Sequence, residues 1–169
     1  GQEELGFASS QLIVTILVVQ FVAFFGALVF GRVAGRYGAR RTILGGLCLW
    51  CLVVMVGYAL PRKRFVLFLG LAVLIGLVLG GTQAMSRSLF SQLIPRGLEG
   101  EYFSLYQAAE RGTSWFGTLL FGLVFQLTDS YRNAIFALVV FFVVGGALLF
   151  RVRVQEGIEA AGNRLPQVL

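Results

Sequence analysis

The sequence predicts an all-α integral membrane protein of five transmembrane helices, on two observations. First, five stretches without a single charged residue, of 17 to 27 residues each, fill most of the chain, at residues 5–31, 42–61, 65–86, 112–128 and 133–150. About 20 apolar residues cross the hydrocarbon core of a bilayer as a helix. Second, 57% of the residues are hydrophobic and only 13% are charged, against about 25% charged in ordinary soluble domains. A soluble domain of 169 residues has no interior that hides five such helices. The runs lack the apolar–polar alternation of a membrane β-strand. Helices, which satisfy their own backbone polar groups, are then the way across.

The first span is expected at about residues 10–31, with residues 7–10 leading into it and 12–30 as its core. The second covers about 42–61 and contains the Cys48-Leu49-Trp50-Cys51 sequence. Burial in apolar surroundings raises a thiol pKa and suppresses the thiolate that redox or metal chemistry needs. The pair reads as two small apolar residues one helical turn apart. The third span covers about 65–86, the fourth about 103–128 and the fifth about 132–151. Residues 1–153 are expected to form one transmembrane bundle. Residues 154–169 are expected to be a polar, solvated cytoplasmic tail. The chain holds 22 glycines, and small residues let membrane helices approach closely. Trp50, Trp115 and the phenylalanines are expected to face lipid or core, although tryptophan favours the interface and Trp115 lies near the middle of its span.

Charge sets the orientation. Loops one and three and the tail hold nine bases, Arg32, Arg36, Arg40, Arg41, Arg87, Arg96, Arg151, Arg153 and Arg164. The opposite side holds four, Arg62, Lys63, Arg64 and Arg132. The positive-inside rule puts the first side, and so the tail, in the cytoplasm and the N-terminus outside. The Arg62-Lys63-Arg64 cluster runs against that rule. The net charge of +6 does not point to nucleic acid, because the arginines sit at helix ends and form no basic stripe with interleaved aromatics. The chain begins at Gly1 and has an odd number of spans, so it is expected to be a piece of something longer. It has no histidine, hence no imidazole base and no Ser/His/Asp or Cys/His constellation. No enzyme activity, metal or cofactor is expected.

Two motifs carry a family resemblance. The first loop reads Gly31-Arg32-Val33-Ala34-Gly35-Arg36-Tyr37-Gly38-Ala39-Arg40-Arg41. It resembles the signature loop of the major facilitator superfamily, and Gly31, Arg36, Gly38 and Arg40 match that signature. Gly35 stands where the superfamily usually has aspartate, which weakens the helix-gating contact of that carboxylate. Such a loss is commoner in the second copy of the loop and fits a C-terminal half. The second motif runs Gly80-Gly81-Thr82-Gln83-Ala84-Met85-Ser86-Arg87-Ser88-Leu89-Phe90, then Leu93-Ile94-Pro95, then Glu101-Tyr102-Phe103-Ser104-Leu105-Tyr106. Gly117, Phe121 and Gly122, and Arg132 with Ala134, continue it. It is similar to the vacuole-effluxer-like branch, which includes fungal vacuolar amino-acid effluxers of autophagy and many bacterial transporters. The resemblance covers nearly all of the chain. It implies that the five spans are helices eight to twelve of a twelve-helix transporter, and that a missing N-terminal half or partner subunit completes the fold.

Arg87 and Glu110 lie equally far from the middle of the third loop, counted between Leu98 and Glu99. At about 1.5 Å of rise per residue they share a depth. Charges embedded in membrane helices turn inward and pair, so an Arg87–Glu110 contact near the cytoplasmic mouth is expected, a gate that breaks and forms. The alternative is that both side chains snorkel to the interface. Glu110 is also the carboxylate placed for a proton carrier, although the adjacent Arg111 favours its ionised form. Gly76, Gly80, Gln83 and Arg87 share one helix face, and Tyr102, Tyr106, Glu110, Thr113 and Gly117 share another. The glycines read as packing sites. Gln83, Tyr106, Glu110 and Thr113 are the substrate-pathway candidates. Gly31, Arg36, Gly38, Arg40 and Arg87 are the candidates for the gate and signature loop.

The function expected is the C-terminal part of a secondary active transporter, moving a small solute, for which the fungal branch implies amino acids. The other reading is a non-transporting assembly or scaffold subunit that keeps the fold. An intramembrane enzyme is the weakest reading, since no nucleophile–base pair or ligand cluster stands in the sequence. The short loops favour a bacterial inner membrane, with a vacuolar membrane as the alternative.

Overall fold

The computed structural model describes residues 9–59 and 65–165. The Arg62-Lys63-Arg64 cluster and the ends of the chain lie outside the described residues. The described residues form seven helices: α1 (Ser9–Tyr37), α2 (Ala39–Ala59), α3 (Phe65–Gln92), α4 (Glu99–Thr128), α5 (Tyr131–Ala137), α6 (Val139–Arg151) and α7 (Val154–Ala160). Four stretches are long and apolar enough to cross a membrane: Ser10–Tyr37, Ala39–Ala59, Phe65–Gln92, and α5 with α6 over Tyr131–Arg151. The 30 residues of α4 span about 45 Å at 1.5 Å per residue, so its length is ample. Its composition is what separates it, because Glu110, Arg111, Thr113, Ser114, Thr118 and Gln126 interrupt the apolar run.

The helices are longer than the uncharged runs. Residues 32–41, expected as a loop, are helical on both sides of Gly38. The basic residues lie past the apolar run, where helical turns can continue into the interface with their charges in water. Gly38 carries the whole change of direction, with φ of 89°, a value that costs a residue with a Cβ about 1–2 kcal/mol. Its N–H donates to Ala34 O (2.9 Å), and its own carbonyl accepts from the Thr42 N–H (3.2 Å) and from Thr42 Oγ1 (2.8 Å). One residue therefore ends α1 and caps α2. The last span is interrupted at Leu138, where the Leu138 N–H donates to Ile135 O and the Phe141 N–H to Leu138 O, a tight turn of 3₁₀ type.

The bundle is organised on the crossing of α1 with α3. A Cβ at Gly76 would lie 2.7 Å from Val19 O, while Cβ atoms at Gly26 and Gly80 would run into the backbone of Leu77 and Ala23. Of the glycines expected to pack, Gly76 and Gly80 do so and the two backbones touch, whereas Gly117 has nothing within 4 Å of where its Cβ would stand. In lipid there is no water to squeeze from an interface, so this close van der Waals approach is a main source of helix association. Against α3 lies α2, with Gly46 at Thr82 and Phe30 and Trp50 Nε1 donating to Thr82 Oγ1 at 3.3 Å. Next to α2 comes α6, where Trp50 stacks on Phe142 with ring centres 5.4 Å apart. Against α5 rests α4, through Phe125 and Tyr131 at 4.3 Å. It buries no residue along its length.

The tail differs from the solvated end expected. Residues 154–160 form α7, in which Val154 (3% exposed) and Ile158 (0% exposed) are buried. They complete an apolar cluster with Phe30, Ile43, Met85 and Leu89. Asn163 Nδ2 then donates to Gln92 O (3.0 Å) and Ile94 O (2.7 Å), serving carbonyls that the end of α3 leaves without helical partners. The polar residues of the tail hid this docking, since only one face of a short helix is needed to make it.

Candidate functional site

The sequence of α4 puts hydroxyls and a carboxylate on one helical stripe. Membrane helices tolerate hydroxyls when the proton goes back to the carbonyl one turn earlier. Here Thr113 Oγ1 donates to Ala109 O (2.9 Å), Ser114 Oγ to Glu110 O (2.9 Å) and Thr118 Oγ1 to Ser114 O (3.0 Å). Each hydroxyl proton is thereby committed to the backbone, and each oxygen presents lone pairs outward.

Glu110, Thr113 and Ser114 help form one wall of a cavity of about 450 Å³ between α4 and α6, and Thr118 lies off it beside Trp115. Tyr106, Ala109, Glu110, Thr113, Ser114 and Gly117 line one side, and Leu138, Phe141 and Phe142 the other. Three of the four pathway candidates, Tyr106, Glu110 and Thr113, thus meet in one cavity. Gln83 does not line it and lies exposed on α3. Sequence reasoning missed Ser114, whose spacing falls beside the chosen stripe. It also missed the apolar wall, because α6 is hydrophobic on every side and offers no periodic signal. The Leu138 turn sits in that wall.

At the loop end of α4 the structure brings Arg87 Nη2 within 3.7 Å of Glu110 Oε2, the pairing expected from depth. The turn between α3 and α4 occupies residues 93–98, so its middle falls between Pro95 and Arg96, earlier than the depth count assumed; the pair forms nonetheless. Below it Phe90 packs on Tyr106 at 4.9 Å and on Phe103 at 5.7 Å. Arg87 and Glu110 keep 59% and 44% of their side-chain surface exposed, and a pair that open contributes about 0.2–1 kcal/mol. Such a contact is weak enough to break and re-form. In the turn itself, backbone N–H groups of Glu99 and Gly97 hold the Glu99 carboxyl below the usual carboxylate range.

The signature-loop residues are placed as follows. Gly31 is half-buried with open space where a Cβ would stand. Arg36 is exposed in the last turn of α1, where a cation suits the negative end of the helix dipole. Gly38 makes the α1–α2 turn. Arg40 Nη2 donates to Phe150 O, and its guanidinium lies 5.4 Å from the centre of the Phe150 ring. Gly35 has nothing within 4 Å of where its Cβ would be. Cys48 and Cys51 are both free thiols. Trp115 is 62% exposed, on a face of α4 separate from the cavity stripe.

Fold and site together define an integral membrane helical bundle with a largely apolar cavity on one flank, edged by Glu110, Thr113 and Ser114. Residues 1–162 match the model of the family described as vacuole effluxer Atg22 like, and the chain belongs to that family. It is 32% identical over 146 residues to the uncharacterized MFS-type transporter YxiO of Bacillus subtilis (strain 168), covering 86% of this chain and 34% of that protein. It is 40% identical over 96 residues to autophagy-related protein 22 of Kluyveromyces lactis, covering 57% of this chain and 19% of the relative. With autophagy-related protein 22 of Pyricularia oryzae the identity is 31% over 158 residues, covering 85% and 23%. The chain therefore spans about a third or less of the length of these relatives. No solved structure matches it. The family resemblance carried by the two motifs is borne out.

Proposed function

We propose that the chain supplies the C-terminal part of a secondary active transporter that moves a small solute by alternating access. In this reading α1, α2, α3, α4 and the joined α5–α6 are helices eight to twelve, α4 is the fourth of the five spans, and the N-terminal half completes the molecule. The observation that carries it is the α4–α6 cavity, whose polar groups Tyr106, Glu110, Thr113 and Ser114 belong to the one long helix among the described residues that buries none of its own. A helix with hydroxyls and a carboxylate on its free flank is suited to line a water-filled path between two bundles. The MFS-type and effluxer names of the relatives support the same class.

The chemistry of the wall favours an amino acid. Thr113 and Ser114 offer acceptor lone pairs beside the Glu110 carboxylate, which together suit an ammonium group. Arg87, paired to Glu110, offers a guanidinium to a carboxylate. Phe141 and Phe142 leave an apolar side for a hydrophobic side chain. The Arg87–Glu110 pair acts as the gate, opening as the solute takes the place of each partner. Gln83 lies along the path on α3, and Gly31, Arg36, Gly38 and Arg40 form the cytoplasmic hinge. The membrane is a bacterial inner membrane, with the tail in the cytoplasm.

The test is counterflow of labelled amino acids into liposomes carrying the full-length protein. Uptake of at least one neutral apolar amino acid is expected, reduced about tenfold by Thr113→Val, the scale of one lost hydrogen bond to a charged group. Absence of uptake for every amino acid overturns the substrate assignment. Absence of movement of any solute favours the scaffold reading.

A further inference from the structure

A second cavity among the described residues is larger than the one on α4. Where α2 begins and α6 ends, an open cavity of about 590 Å³ is lined by Arg40, Arg41, Arg151 and Arg153 with apolar Leu44 and Phe150. Four guanidiniums face one carboxylate there, Glu156. That carboxylate is already engaged, with Oε1 3.2 Å from Arg153 Nη1. Arg40 is held by the Phe150 carbonyl and ring. Arg41 and Arg151 make no hydrogen bond or ion pair among the described residues. Like charges brought together without a counter-charge repel, and more strongly where water is partly excluded. Arg41, Arg151 and Arg153 are exposed, so the site is open to an anion, which would relieve that repulsion.

We infer that this cavity binds the phosphodiester headgroup of an anionic phospholipid. Three features select a lipid over a free phosphate. The arginines sit at the boundary of the hydrocarbon region, at the first turn of α2 and the last residue of α6. The wall on the membrane side is apolar, with Leu44 half-buried and Phe150 71% exposed, which suits a glycerol backbone and acyl chain and wastes a water-soluble anion. The basic residues of this end also place it at the cytoplasmic leaflet, where anionic lipids and basic side chains meet. Guanidinium forks match the paired oxygens of a phosphodiester. The bound headgroup ties α2 to the junction of α6 with α7, and α7 in turn is buried against Met85 and Leu89 of α3. The site thus fastens the cytoplasmic ends of three spans and the tail.

The test is native mass spectrometry of the full-length protein with added phosphatidylglycerol or phosphatidylcholine. The Arg41→Gln/Arg151→Gln variant is compared with Arg96→Gln/Arg164→Gln, which removes the same charge from the same end outside the cavity. Phosphatidylglycerol retention is expected to weaken about thirtyfold in the first variant, the ordinary worth of a basic side chain beside anionic lipid taken twice. It is expected to stay near wild type in the second. Thermal melting without added phosphatidylglycerol checks that both variants fold, and Arg41→Lys/Arg151→Lys is expected to recover part of the binding if the first does not. Equal loss in both Gln variants means diffuse surface charge and overturns the site. Equal retention of phosphatidylcholine overturns the anionic headgroup. Displacement of the lipid by millimolar inorganic phosphate overturns the lipid assignment in favour of a free phosphate.

Discussion

Glu110 is the residue on which most of the proposed mechanism converges. It lines the cavity, its carboxylate lies 3.7 Å from the Arg87 guanidinium, and its backbone carbonyl accepts from Ser114 Oγ. The ion pair is expected to matter for the transport cycle and little for folding, because an exposed pair contributes about 0.2–1 kcal/mol. Charge reversal separates the two roles. Arg87→Glu and Glu110→Arg are each expected to abolish counterflow in liposomes while leaving the melting temperature nearly unchanged. The double swap is expected to restore a measurable part of the transport. A double variant as dead as the single ones removes the gate from the mechanism.

At the scale of elements, the α1–α3 crossing is the contact with least room for change. A side chain on Gly80 would collide with the backbone of Ala23, and main chain cannot swing aside as the end of a flexible side chain can. Gly80→Val is therefore expected to push the two helices apart and lower stability by about 1–3 kcal/mol, the usual cost of overpacking. Gly70→Val, on the same helix where a Cβ meets nothing within 4 Å, is expected to change it far less. Thermal unfolding of the two variants in detergent checks this, and equal melting temperatures would show that the crossing is not what holds α1 to α3. The tail belongs at this scale too. Through Val154, Ile158 and Asn163 it packs on and caps the end of α3, so it is part of the bundle.

For the whole molecule the distinctive element is α4. It is long enough to cross but more polar than the other spans, and the proposal makes it a fifth crossing that faces a partner bundle. Single cysteines report this directly, after Cys48 and Cys51 are changed to serine. In intact cells Thr128→Cys is expected to react with a membrane-impermeant maleimide added outside, and Arg96→Cys and Arg164→Cys only after permeabilisation. Labelling of positions 96 and 128 from the same side would mean that α4 does not cross.

The sequence by itself determined the solvent of this protein, its helical class and its family. Each of these follows from quantities counted along one chain: uncharged length against bilayer thickness, arginines at helix ends, and the residues of two motifs. Tyr106, Glu110 and Thr113 were legible for the same reason, since polar groups at helical spacing stand out against an apolar run. Tertiary structure alone decided which helices are neighbours. Phe141 and Phe142 complete the cavity from a helix with no distinguishable face, and Arg40 meets Phe150 across 110 positions of sequence. The docking of α7 was equally hidden. The physical reason is that in lipid both faces of a span are apolar, so hydrophobic periodicity no longer marks the buried side. Pairing rests instead on shape, on where a glycine lets one backbone touch another, and shape exists only once the helices have met.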